Sequence, residues 1–186
     1  SLKERILHWS RRHPALASRL GALSIFYVIE IWNFSTASID ARFHAQMSTI
    51  VAIWAVSSII FQQFLDSRRW SIPARFGWGT LDSVLFLAVL LVADGPASPL
   101  TIGYPLLIVA SGLWFRVRFV SFMAVLSLIS YGILIVDLHI RRPQLIAQYD
   151  ITPDNYVIFA IALVIMAMAV AYLVYRLRIL SSLYER

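Results

Sequence analysis

Cysteine is absent from this chain of 186 residues, which excludes disulfides, thiolate zinc sites and iron–sulfur clusters. Histidine is scarce, with four copies, all at the ends of apolar runs or in the segments between them. No pair is therefore placed to hold a haem inside a bilayer, and no His, Asp or Glu pair has metal-ligand spacing. Charge is thin as well: Asp, Glu, Lys and Arg make up 14% of the residues, against about 25% in a soluble domain. Neither a Gly-x-Ser-x-Gly elbow nor a His-Glu-x-x-His motif occurs. Gly77-Trp78-Gly79 lacks the third glycine of a nucleotide-binding loop. No span repeats arginine as a voltage sensor would, and no internal repeat or low-complexity tract is visible. Intrinsic catalysis has no motif to rest on.

What is abundant is apolar surface. Hydrophobic residues form 60% of the chain and the mean hydropathy is +0.75, too apolar for a water-soluble core. A helix needs roughly 20 apolar residues to span a bilayer, and the runs predict an all-α, polytopic bundle of about six transmembrane helices. The spans fall at about 15–34, 45–65, 76–93, 99–115, 119–138 and 156–175. Residues 1–13 read as an amphipathic juxtamembrane helix lying on the headgroups, with Leu2, Ile6 and Trp9 at helical spacing. His13-Pro14 breaks it and lets the first span begin. Asp94-Gly95-Pro96 is a turn signal, so spans three and four form a tight hairpin, and Gly103 with Pro105 predicts a bend in span four. Residues 35–44 and 139–155 read as outer segments. The first apolar run lies behind a charged segment, an arrangement unlike a cleavable signal peptide.

Orientation follows from the retention of Lys and Arg in the cytoplasm. With both termini inside, thirteen of the sixteen basic residues lie on the inner side, leaving Arg42, Arg141 and Arg142 outside. The multi-pass protein is thus expected in the cell inner (plasma) membrane. This topology also explains the net charge of +6 without nucleic acid, because the basic residues are dispersed between apolar runs. Beyond the six-helix domain of residues 14–178, Leu173, Leu177, Leu180 and Tyr184 continue at the spacing of a coiled-coil seam. They predict a cytoplasmic helical extension over residues 176–186 and a candidate homodimer contact through the last span. Small residues such as Ala160, Ala167 and Ala171 permit the close packing this needs.

Ionisable residues inside a bilayer need a reason, since each costs roughly 2.5 to 3.5 kcal/mol at mid-span on insertion scales. Glu30 lies about one turn from the outer surface. His44, Asp94, Asp137 and His139 also sit at outer span ends, with Tyr104 and Tyr131 at similar depth. These seven are the candidate lining of an outward-facing pocket for a cation, a proton or a small polar ligand. The alternative reading is that each is an ordinary interfacial residue in contact with water. Asp82 lies in the inner half of span three, where Arg19, Arg75 and Arg116 can snorkel toward it, and reads as a structural ion pair.

Trp9-Ser10-Arg11-Arg12-His13-Pro14-Ala15-Leu16-Ala17 resembles the juxtamembrane segment that follows the kinase domain in planctomycete-type, eukaryotic-like serine/threonine kinases. The run from Gly103-Tyr104-Pro105-Leu106-Leu107 through Trp114-Phe115-Arg116-Val117-Arg118 resembles part of the multi-span region of those kinases. So does Ala171-Tyr172-Leu173-Val174-Tyr175-Arg176 leading into Leu180-Ser181. The resemblance implies a receptor-like kinase whose catalytic domain precedes Ser1 and alone uses ATP and Mg. The Gly-rich loop, phosphate-binding lysine, His-Arg-Asp loop and Asp-Phe-Gly site have no counterpart here, so no cofactor and no catalytic residue is assigned to this segment. The expected function is a membrane-embedded sensory and anchoring domain acting on cytoplasmic domains. A small transporter or channel subunit using Glu30 and Asp82, a sensor domain of a histidine kinase or nucleotide cyclase, and a purely structural anchor are the alternatives.

Overall fold

A computed structural model describes residues 14–36, 39–67, 69–149 and 152–184; the amphipathic segment expected over residues 1–13 lies outside them. The described residues are all-helical. The helices are α1 (Pro14–Ser35), α2 (Ala41–Asp66), α3 (Ser71–Val92), α4 (Gly103–Gly112), α5 (Val117–Arg141), α6 (Pro143–Gln148) and α7 (Pro153–Tyr184). Two short 3-10 turns, Gly95–Ala97 and Pro99–Ile102, lead from α3 into α4. Among the described residues four helices are long and apolar enough to cross a membrane: Ala41–Asp66, Ser71–Val92, Val117–Arg141 and Pro153–Ser181 within α7. Large apolar side chains such as Val56, Ile133, Ile158 and Met168 stand exposed along them. Water would penalise such faces and lipid does not, so contact with a bilayer is their natural surrounding.

The chain divides into two compact units, Ser1–Trp78 and Gly79–Arg186. The first holds the α1–α2 hairpin. Its second helix starts at Ala41 because Asp40 is an N-cap, the carboxylate accepting from the Phe43 amide at 2.8 Å. This satisfies one of the helix's orphan donors. His44 accordingly sits in the first turn of α2, where the sequence reading has a loop through residue 44. At the other end of this unit, the guanidinium of Arg19 lies 4.0 Å from the centre of the Trp78 ring, a cation–π contact. The Phe61 ring stacks on the same indole.

In the second unit α5 is the central element, packed against both α4 and α7, while α4 also meets α7. Leu90, Ile108, Val120, Leu134, Leu138 and Leu163 form the middle of its core. Close approach requires glycine at three points: a Cβ on Gly79 would lie 2.7 Å from the Met123 sulfur, one on Gly112 would lie 2.7 Å from a Val170 methyl, and one on Gly103 would collide with the Phe86 ring. The turn after α3 uses Gly95 at φ +58°, a left-handed conformation that glycine adopts without strain. At the end of α5, Pro143 occupies the first turn of α6, where its missing N–H costs nothing. Part of residues 139–155, read from sequence as an outer segment between spans, is therefore helical. Likewise α3 begins at Ser71 rather than near residue 76, since Pro73 falls in its first turns and does not break it.

Candidate functional site

Glu30 and Asp82, the two carboxylates that the sequence reading puts within spans, are both buried, at 5% and 3% exposure. The α1–α2 hairpin brings Glu30 directly onto His44: the imidazole Nδ1 lies 2.7 Å from Oε1 and 2.9 Å from Oε2. The ring of Phe34 stacks on His44 at 4.2 Å between centroids, and the Tyr27 hydroxyl lies 3.3 Å from the Ser48 Oγ alongside. The pair is thus clasped between two helices by a polar contact with an aromatic cover. Of the arginines considered for Asp82, Arg19, which also lies over the Trp78 ring, and Arg75, half-buried in the first turns of α3, belong to the first unit, and Arg116 is the extended N-cap residue of α5.

The remaining candidates fall in the second unit, around an open cleft of about 330 Å³. Pro96, Ala97 and Thr101 contribute from the two 3-10 turns, Tyr131 from α5, Tyr149 from the end of α6, and Asn155, Tyr156 and Phe159 from the first turns of α7. Tyr131 and Phe159 pack ring to ring at 4.7 Å. Behind Tyr131 lies Tyr104, fully buried, its hydroxyl 2.7 Å from the Ser130 Oγ. Asp94 reaches the rim by accepting from the Tyr149 hydroxyl at 3.2 Å. Its negative charge, and then that hydrogen bond, push the exposed Tyr149 phenol above its usual 10.0. His139 packs edge-on against the Tyr156 ring at 5.9 Å. The Tyr156 hydroxyl is buried with no hydrogen-bond partner among the described residues, an unused donor and acceptor on the wall of the cleft.

Asp137 is held by Arg141 at 3.5 Å and by Arg142 at 3.7 Å. Arg142 does more: its guanidinium donates to the Ala93 carbonyl at 2.6 Å and to the Leu91 carbonyl. These are the orphan carbonyls at the end of α3, where a cation also complements the helix dipole. The turn that forms one wall of the cleft is thereby tied to the end of α5.

From sequence, Tyr131 is the one expected pocket residue that lines this cleft, with Asp94 and His139 in contact with its walls. Tyr104 stands behind it, Asp137 is engaged by arginines, and Glu30 and His44 form their own pair. Tyr149, Asn155 and Phe159 were not singled out. The available signal was the crowding of polar and aromatic residues at the head of the otherwise apolar α7. Among the described residues no cluster of three His, Asp or Glu side chains is placed to hold a metal ion. Comparison with protein-family models, with curated proteins and with solved structures finds no match.

Proposed function

We propose that this chain is a membrane-embedded sensory and anchoring domain. In this reading α1 and the shorter apolar segment Pro99–Gly112, extended by its flanking residues, join the four long apolar helices as six crossings of the plasma membrane, with both ends in the cytoplasm. The observation that carries it is the position of the cleft on the first turns of α7, a single helix of 32 residues. At about 1.5 Å per residue it runs some 48 Å, against roughly 30 Å of hydrocarbon. Its far end, with Arg176 and Arg178, extends beyond the lipid on the cytoplasmic side. A small ligand that draws Tyr149 toward Asn155 and Phe159 would bias the position of that rod, a population shift transmitted along one rigid element. The attached output domain is a serine/threonine kinase in this reading, on the resemblance of residues 9–17 and 103–118. Leu173, Leu177 and Leu180, all exposed, offer the seam for a second copy.

Two experiments test it. The lack of cysteine makes single-cysteine topology mapping direct: in intact cells an impermeant maleimide is expected to label Gln148→Cys, and to label Ser10→Cys and Ser182→Cys only after permeabilisation. Labelling of positions 10 and 182 from opposite sides would overturn the topology. In the full-length protein, kinase activity in membrane vesicles is expected to change with Tyr131→Ala or Phe159→Ala while insertion is retained. Unchanged activity in both variants would leave an anchor and nothing more.

A further inference from the structure

We propose that the cleft binds an organic cation of the quaternary-ammonium class. Four aromatic side chains, Tyr131, Tyr149, Tyr156 and Phe159, contribute to its walls, and no basic residue among the described residues lines it. Aromatic faces carry negative quadrupole potential, and cages of such rings select trimethylammonium groups over uncharged ones of the same shape. Asp94 adds a full negative charge at the rim through its hydrogen bond to Tyr149. The arginines of this end do not cancel it by lining the cleft: Arg142 is committed to the carbonyls of Leu91 and Ala93, and Arg141 to Asp137. A volume of about 330 Å³ is at the small end of the roughly 300–1,000 Å³ of ligand pockets, suited to a head group and not to an extended molecule. The cleft is open, so the cation arrives either free or as the head group of a choline lipid. The inference rests on the reading of the cleft as the sensing site and names what that site takes.

The test uses the full chain in phosphatidylglycerol nanodiscs, which contain no trimethylammonium group, with choline as the probe in saturation-transfer NMR at fixed ionic strength. The comparison ligand is the uncharged carbon analogue in which a tert-butyl group replaces trimethylammonium. Saturable choline binding is expected, about tenfold tighter than the analogue. Asp94→Asn and Tyr149→Ala, both at exposed positions, are expected to weaken it about three- to tenfold. Equal affinity for choline and its carbon analogue would overturn the proposal, as would a choline signal that does not saturate or is untouched by both substitutions. Repeating the titration in phosphatidylcholine discs separates the sources: loss of soluble choline binding assigns the site to the lipid head group, and unchanged binding assigns it to the free cation. The sensing reading fails separately, when kinase activity ignores both Tyr131→Ala and Phe159→Ala, so either can fall without the other.

Discussion

The hairpin of the first unit and the bundle of the second are held by different means. In its most apolar window α2 is 11% buried, as is α7 in the second unit, against 44% in the central α5. The α1–α2 contact gathers few large buried apolar residues, Leu16, Met47 and Val51 among them, but it contains the buried Glu30–His44 pair. Around α5 the apolar core is continuous and its approaches are set by glycine. In lipid, apolar burial between helices gives little net driving force, since acyl chains are as apolar as leucine. Close van der Waals fit and specific polar contacts must then do the holding. The second unit uses fit, and the first depends far more on one polar clasp.

Breaking the clasp is therefore expected to have the largest effect. His44→Ala leaves a carboxylate that is 5% exposed without its imidazole, at a cost of about 3 kcal/mol. That is the low end for a broken buried pair, because the His44 side of the contact is only part-buried. Glu30→Gln keeps a hydrogen bond to the ring and should cost about 1 kcal/mol. Reversible unfolding in mixed micelles measures both, and a His44→Ala loss no greater than that of Glu30→Gln would show that the clasp is incidental. Next in size is the fit around α5. Gly103→Ala drives a methyl group into the Phe86 ring, itself packed edge-on on Tyr104 at 4.9 Å, and should cost about 2 kcal/mol. Gly21→Ala and Gly132→Ala meet nothing within 4 Å and should be neutral or slightly stabilising, given alanine's better helix propensity. A loss at Gly132 as large as that at Gly103 would mean that backbone effects, and not fit, decide the second unit.

How far the sequence discloses this contrast depends on the range of the interaction. The long apolar runs pick out α2, α3, α5 and α7, because hydrophobic length is a local property, while the helix ends depart from the apolar runs by one to nine residues. The Asp94-Gly95-Pro96 turn is local too, and Gly95 carries the positive φ that such a turn needs. Glu30 and His44 both stand out in the sequence, but as members of one diffuse group of seven. That they pair follows from the register of the α1–α2 hairpin, which Asp40 fixes by starting α2 at Ala41. The cap was legible in Asp40-Ala41-Arg42-Phe43, and reading residues 35–44 as a loop passed over it. Tyr149, Thr101 and Phe159 come from three separate elements, so nothing in their spacing announces a shared cleft. Arg142 counts from sequence as a stray outer charge, because its partners Leu91 and Ala93 are 51 and 49 residues away.

Arg142 gives the third test, at a point where the second unit also relies on polar bonds. Arg142→Ala frees two carbonyls at the end of α3 and removes a favourable charge from its dipole, for an expected loss of about 1–2 kcal/mol. Arg142→Lys keeps the charge but cannot fork to two carbonyls, and should recover about half. Hydrogen exchange of the amides of residues 93–98 is the more specific readout. Faster exchange there, with α7 unchanged, is expected. Equal acceleration throughout α4, α5 and α7 would make Arg142 a global support and narrow the difference between the two units.

The smallest effect concerns Tyr149 and Asp94, which share one exposed hydrogen bond. The phenol donates to a carboxylate, so its ionisation opposes an existing negative charge and its pKa is raised above 10.0. A raised folded-state pKa means that the contact's contribution is fully present below pH 10 and is lost as pH climbs through the folded value. Both groups are open to solvent, which screens the interaction, so the global stability curve should barely register it. The titration itself is the sensitive probe. With carbon-13 label in the tyrosine rings, the Tyr149 midpoint is expected above that of a free tyrosine and to fall back toward 10.0 in Asp94→Asn. No downward movement in that variant would mean that the bond is not kept in solution. Asp94 would then not be held at the cleft's rim, and the second unit would be left with fit and Arg142 alone to define the site.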